Sequence, residues 1–215
     1  PGQYAGLNCL FPCPKTILGD FGQQVHPLFQ TTLEGLHALY PAASFVRLDT
    51  SYRSTWEIIR FARRFIKGSP IQPIERHGEA PAVIQCQTGE EELNQIRRAV
   101  AGFNNGSYAT MGILTKTAGE AAALFQALRG EPNVHLVTPQ SQTYQGGVTI
   151  TTVRMAKGLE FDQVLLPGTH QYAKNEYNLL YVACTRAMHR LTLLYGGAKA
   201  PEWGETTEFD KNDAV

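Results

Sequence analysis

The segment Tyr181-Val182-Ala183-Cys184-Thr185-Arg186-Ala187, directly after Leu179-Leu180, places an arginine beside a run apolar enough to be buried. Water is the usual surrounding of a guanidinium. One held rigidly at the edge of a packed sheet is suited to bidentate recognition of phosphate. Three further segments precede it: Gly19-Asp20-Phe21-Gly22-Gln23, Ser51-Tyr52-Arg53-Ser54-Thr55 and Lys157-Gly158-Leu159-Glu160-Phe161. Together these residue types suit nucleotide recognition. Two arginines brought to one point, Arg53 and Arg186, can neutralise the charge on a transferring phosphoryl group. A glutamine, Gln23, can bond to phosphate and water. The face of Tyr52 can stack on a base. Glu160 can accept hydrogen bonds from ribose hydroxyls, and Gly158 lets backbone approach a ligand with no Cβ in the way. Each residue has an ordinary use alone: Arg53 in a surface ion pair, Tyr52 at a core edge, Arg186 against a helix dipole, Lys157-Gly158 in a turn. Four such segments in order favour the shared nucleotide role.

The elements that must position these residues alternate between short strands and helices. Strands are predicted at Lys15–Leu18, Ser44–Leu48, Ala82–Cys86, Thr110–Leu114, Val134–Val137, Val148–Val153, Val164–Leu166 and Leu191–Tyr195. Helical spacing runs over Leu28–Tyr40, from a Ser54 or Thr55 cap to Ile66, over Glu90–Phe103, Ala118–Leu128 and Asn175–Met188. Linkers are expected at Pro70–Pro81 and Pro139–Gly147. Apolar strands alternating with helices imply an α/β fold, a mostly parallel sheet covered on both faces. In such sheets ligands bind at the carboxyl ends of the strands. The motif segments are expected at or near such ends.

Composition narrows the class. The chain has 215 residues, 43% of them hydrophobic and 18% charged, enough to build a core. Lys+Arg and Asp+Glu both number 19, so any nucleic-acid contact must come from a local patch. Four cysteines, Cys9, Cys13, Cys86 and Cys184, show no zinc-site spacing. No metal site is expected. Reduced thiols fit a cytoplasmic protein, and no apolar stretch is long enough to span a membrane.

The four segments resemble, in order, the third to sixth motifs of UvrD/Rep-type superfamily 1 DNA helicases. The similarity runs from about Tyr4 to Tyr195. It implies a RecA-like parallel sheet flanked by helices, the second domain of a P-loop NTPase type without the P-loop. Residues 1–40 would be the tail end of a first RecA-like domain carrying the Gly19-Asp20-x-x-Gln23 motif. Residues 41–200 would form the second RecA-like helicase C-terminal domain, and 201–215 a flexible tail. By resemblance, Gln23 would sense the γ-phosphate, Tyr52 would stack on adenine, Arg53 and Arg186 would be arginine fingers, and Glu160 would meet the ribose. Single-stranded DNA crosses the tops of both RecA-like domains in the family, which points to Thr115, Lys116, Thr117, Thr152 and Arg154.

The chain departs from the family pattern in three places. Ser51 stands where an Asn usually precedes the Tyr-Arg pair, and Arg154 where a His usually precedes the fifth-motif Lys. Between Arg53 and Lys157 there is little room for the family's inserted helical domain. The combination of Ser51–Thr55 with Ala183–Met188 is more like the HelD branch, whose members bind RNA polymerase and recycle it with ATP. No Gly-Lys dipeptide and no Asp-Glu pair occurs, so the phosphate cradle and most Mg²⁺ contacts are expected in an N-terminal half that precedes this sequence. The first RecA-like domain is thus an expected partner, and the chain alone is expected to hydrolyse no ATP.

Overall fold

Six apolar strands pair side by side, all in the same direction, in the spatial order Ala82–Cys86, Ala187–Gly196, Phe161–Leu166, Thr110–Thr115, Gly147–Thr152, Val134–Leu136. The computed structural model describes residues 2–11, 13–20, 32–66, 71–141, 146–197, 201 and 203. In chain order the helices are α1 (Gly2–Leu10), α2 (Leu33–Leu39), α3 (Trp56–Ala62), α4 (Gly89–Asn104), α5 (Ala118–Ala127) and α6 (Tyr177–Cys184). The strands are β1 (Thr50–Ser51), β2 (Gln72–Pro73), β3 (Ala82–Cys86), β4 (Thr110–Thr115), β5 (Val134–Leu136), β6 (Gly147–Thr152), β7 (Phe161–Leu166) and β8 (Ala187–Gly196). β1 and β2 form a separate parallel pair.

Strand alternation builds two cores. On one face, Leu114, Phe161, Val164, Leu166, Leu191 and Leu193 pack with residues of α3 and α6. On the other, Met111, Ile113, Val148, Ile150, Leu165 and Leu194 pack with residues of α4 and α5. Period-2 alternation sends neighbouring residues of β4 and β7 to opposite layers. The helices start where their caps dictate. The Thr88 hydroxyl accepts from the Glu91 amide, and Thr117 and Glu120 form a capping box at α5.

Several boundaries differ from the sequence expectation. Lys15–Leu18 and Ser44–Leu48 are not strands. A strand needs a neighbour for its backbone donors and acceptors, and neither stretch pairs with another among the described residues. Leu18, Val46 and Leu48 are left exposed. The helix expected over Leu28–Tyr40 is seen as Leu33–Leu39, and residues 21–31 lie outside the described part. The helix expected to reach Met188 stops at Cys184, because Ala187 already pairs with Phe161 as the first residue of β8. α1 was not expected. It buries none of its residues, so no core-facing stripe marks it. The stretch expected as a linker over Pro70–Pro81 supplies, among its described residues, β2 and Arg76, whose guanidinium bonds to the Arg53 carbonyl.

β4 and β7 approach closely at Gly112. A Cβ there would lie 2.7 Å from Phe161 Cδ2. Gly112→Ala is therefore expected to destabilise the chain by about 1–3 kcal/mol. Urea denaturation measures this, and an unchanged midpoint contradicts the packing.

Candidate nucleotide site and nucleic-acid edge

Arg186 occupies the two-residue gap between α6 and β8, and only 1% of it is exposed. Each nitrogen of its guanidinium donates one hydrogen bond to a neutral acceptor. Nε donates to Val182 O at 3.1 Å, Nη1 to Leu159 O at 3.3 Å, and Nη2 to Thr185 Oγ1 at 3.3 Å. The Val182 carbonyl belongs to the last turn of α6, where the helix dipole favours a cation. The Phe161 amide in turn donates to Arg186 O at 3.0 Å. Leu159-Glu160-Phe161 is thus bonded to Arg186 at both ends. Burial, then the neighbouring charge of Arg53, lowers the Arg186 pKa to about 10, while Glu160 and Asp20 oppose the shift. It stays charged at neutral pH.

Arg53 arrives from the opposite direction. It follows β1 and precedes α3, and its Nε pairs with Glu160 Oε1 at 2.5 Å. The turn carrying it is fastened at three points. Ser54 Oγ donates to Ala187 O at 2.6 Å. Arg76 Nη2 donates to Arg53 O and, at 3.3 Å, to Met188 O. The Trp56 amide donates to Arg76 O at 2.9 Å. Thr55 takes the N-cap position of α3 without a side-chain cap bond. Tyr52, next to Arg53, is 71% exposed. Gly158 has φ +92°, a left-handed conformation that favours glycine, and an added Cβ would meet nothing within 4 Å. Gln23, with Phe21 and Gly22, lies outside the described residues.

The location corrects one expectation. Glu160 and Arg186 immediately precede β7 and β8, so they stand at the amino ends of those strands. Among the described motif residues, Tyr52-Arg53 directly follows the carboxyl end of a strand, that of the separate β1. The cause is the connection after β6. It runs back along the sheet through a chain of turns to start β7, and α6 does the same for β8. The carboxyl edge carries the other set of candidates. Thr115 and Thr152, paired as the last residues of β4 and β6, lie there. The two edges are separated by about 20 Å, the length of a six-residue strand.

At the carboxyl edge Thr115 is buried, and its hydroxyl donates to Thr117 O at 2.9 Å and Thr151 O at 3.3 Å. It shapes the turn and presents no surface. Lys116 Nζ donates to Glu176 Oε2 at 2.6 Å and Gln171 O at 2.9 Å, and lies 5.2 Å from the Tyr172 ring centroid. Thr152 Oγ1 accepts from the Met155 amide at 3.3 Å. Thr117 is exposed at the start of α5. Arg154 is exposed, and its charge acts on Glu176 and Tyr172.

The UvrD-like helicase C-terminal domain family matches residues 147–194, which takes in Lys157–Phe161 and Tyr181–Ala187. The C-terminal domain of a possible DNA helicase from Lactobacillus plantarum WCFS1 superposes with a TM-score of 0.61. It is 30% identical, over 74% of this chain and 95% of that one. The chain belongs to the UvrD-like helicase C-terminal domain family. DNA helicase II of Escherichia coli K12 is 38% identical over 69 residues, 26% of this chain and 10% of the relative. DNA helicase II of Salmonella typhimurium LT2 gives the same figures. The chain therefore spans about a tenth of these relatives.

The parallel sheet is thus the RecA-like one of UvrD-like C-terminal domains. Within it, sequence reasoning missed Ser54 as a tie to β8 and Arg76 as the clamp on the Arg53 turn. Their signals were weak: one serine beside a cap position, and one arginine in a proline-rich stretch. No group of His, Cys, Asp and Glu able to hold a metal occurs among the described residues. No helix among them is long and apolar enough to cross a membrane.

The hydrogen bond from Lys116 is the main cause lowering the Glu176 pKa below its ordinary value near 4.5. A depressed carboxylate adds stability above its unfolded pKa and loses it as pH falls through the folded one. Glu176→Gln is expected to remove that part of the acid-limb stability loss. Thermal midpoints from pH 6 downward, compared between the two proteins, check this. Parallel acid limbs contradict it.

Proposed function

We infer that this chain supplies the second, arginine-bearing half of the nucleotide cleft in an ATP-dependent, UvrD/Rep-like DNA helicase. The carrying observation is that the guanidinium groups of Arg53 and Arg186 share one edge with Glu160, and that the hydrogen bonds of buried Arg186 among the described residues go to neutral acceptors. A buried cation bonded only to neutral acceptors is a strong site for an arriving anion. In this reading a nucleoside triphosphate sits on the first RecA-like domain, and the γ-phosphoryl charge is met by Arg53 and Arg186. Tyr52 stacks on the base, Gln23 reports the γ-phosphate, Gly158 lets backbone approach, and Glu160 turns toward the ribose.

Mg²⁺, held mainly by the first domain and the phosphates, would neutralise charge between the β- and γ-oxygens. Residues 1–40 belong with that first domain, 41–200 form the second, and 201–215 are a tail. The exposed apolar residues Leu18, Val46 and Leu48 fit a segment that completes its packing on another body. At the other edge, Lys116, Thr152 and Arg154 form the path for single-stranded DNA, with Thr115 and Thr117 shaping the turn beneath. Nucleotide-driven closure of the two domains, then release, gives stepping along the strand.

In the parent protein, Arg186→Ala or Arg53→Ala is expected to lower kcat for ATP by at least about a thousandfold. Tyr52→Ala is expected to raise KM chiefly. The 215-residue chain by itself is expected to show no ATPase activity. Turnover by this chain that Arg186→Ala abolishes would overturn the half-site reading. Binding of single strands should weaken steeply with salt and be lost in a Lys116→Ala, Arg154→Ala double variant. No binding at low salt would remove the nucleic-acid edge.

A second reading rests on Ser51, Arg154 and the interval between Arg53 and Lys157, which among the described residues holds only α3 to β6 and their connections. These features favour a HelD-like ATPase that remodels RNA polymerase. ATPase of the parent stimulated by single-stranded DNA supports the first reading. Polymerase-dependent binding without unwinding supports the second.

A further inference from the structure

We propose that Glu160 is a stand-in for the γ-phosphate: it holds Arg53 ready beside Arg186 and yields that guanidinium when phosphate arrives. The proposal rests on the nucleotide reading of this edge and assigns Glu160 a role before the ribose contact.

Two cations face one another here. The charge of Arg53 acts against that of Arg186, and Glu160 offsets it. Arg186 cannot retreat, because its three bonds to Val182, Leu159 and Thr185 fix it in the wall of the domain. Arg53 can swing, since its side chain is 37% exposed. Left unpaired, it would be driven from Arg186 into solvent, and order would have to be restored when the nucleotide binds. The Glu160 carboxylate prevents that. Its backbone neighbours on both sides are bonded to Arg186, through Leu159 O and the Phe161 amide. The carboxylate is therefore placed by one arginine so as to hold the other. It presents to Arg53 the same kind of oxygen pair that a phosphate does. With 42% of its side chain exposed, it is free to rotate away once a more highly charged anion competes. Glu160 is a positioning residue for Arg53 in this scheme. The exchange leaves Arg53 paired at every stage.

Tripolyphosphate separates this role from the ribose role, because it carries the phosphates and no sugar. The 215-residue chain is titrated with tripolyphosphate and, in parallel, with ATP, by calorimetry at low ionic strength. Removing the internal competitor, Glu160→Gln is expected to tighten tripolyphosphate binding about two- to fivefold, the range of a partly exposed ion pair. Glu160→Asp, which restores the charge, is expected to return it toward the original affinity. In an Arg53→Ala background the Glu-to-Gln difference should vanish. Circular dichroism and thermal midpoints establish that the variants fold alike. Unchanged tripolyphosphate affinity in Glu160→Gln, with weaker ATP binding, leaves only the ribose contact and overturns the stand-in. Failure of tripolyphosphate to bind any variant overturns the phosphate-facing edge itself, and the stand-in with it.

Discussion

The segment ahead of β7 and the junction of α6 with β8 are organised around one buried guanidinium. Arg186 caps the last turn of α6, pins the backbone ahead of β7, and abuts β8. Burying a cation is costly, and of the two carboxylates that offset it, Glu160 is paired with a different arginine. A hydrophobic residue of similar volume would pack as well without that desolvation. The local arrangement therefore trades stability for charge held in a fixed place. Such a trade is expected where an anion completes the site.

The two edges of the sheet divide the chemistry. The amino edge gathers arginines whose positions come from a helix end and a strapped turn. The carboxyl edge gathers Lys116 and Arg154 around Glu176 and Tyr172, in a layer of ion-pair and cation–π contacts. The same strands join both, so Phe161 beside Glu160 and Leu114 beside Thr115 lie in one packed layer. A rigid core of this kind transmits displacement from one edge to the other with little loss.

The legibility of the sequence followed the source of each signal. β3, β4, β6 and the helices α4 and α5 were readable to within a residue or two, because period-2 and helical spacing are local. The start of β8 was misread, since Ala187-Met188-His189 continues a helix-compatible run and only its pairing with β7 makes it a strand. Lys15–Leu18 and Ser44–Leu48 carried the pattern of strands without a neighbour to pair with. At the site, the motif residues Arg53, Glu160 and Arg186 were readable as types in order. Their edge of the sheet was not, because it is set by the turns of 153–158, which carry no periodic signal. The ties from Ser54 and Arg76 were unreadable for a similar reason. They span 133 and 23 residues along the chain, and nothing local announces them.

Arg186 is joined to Ala187 with no intervening residue, and β8 has β3 on one side and β7 on the other. An arginine on a mobile loop can reach for its ligand. This one has its backbone joined to an inner strand of a hydrogen-bonded sheet, so local reaching is closed to it. Contact with a body facing Arg186 would have to be made by moving the whole unit. In the proposed cleft, an anion captured by Arg186 would register as a displacement of the entire unit, as stiff as the sheet that carries it.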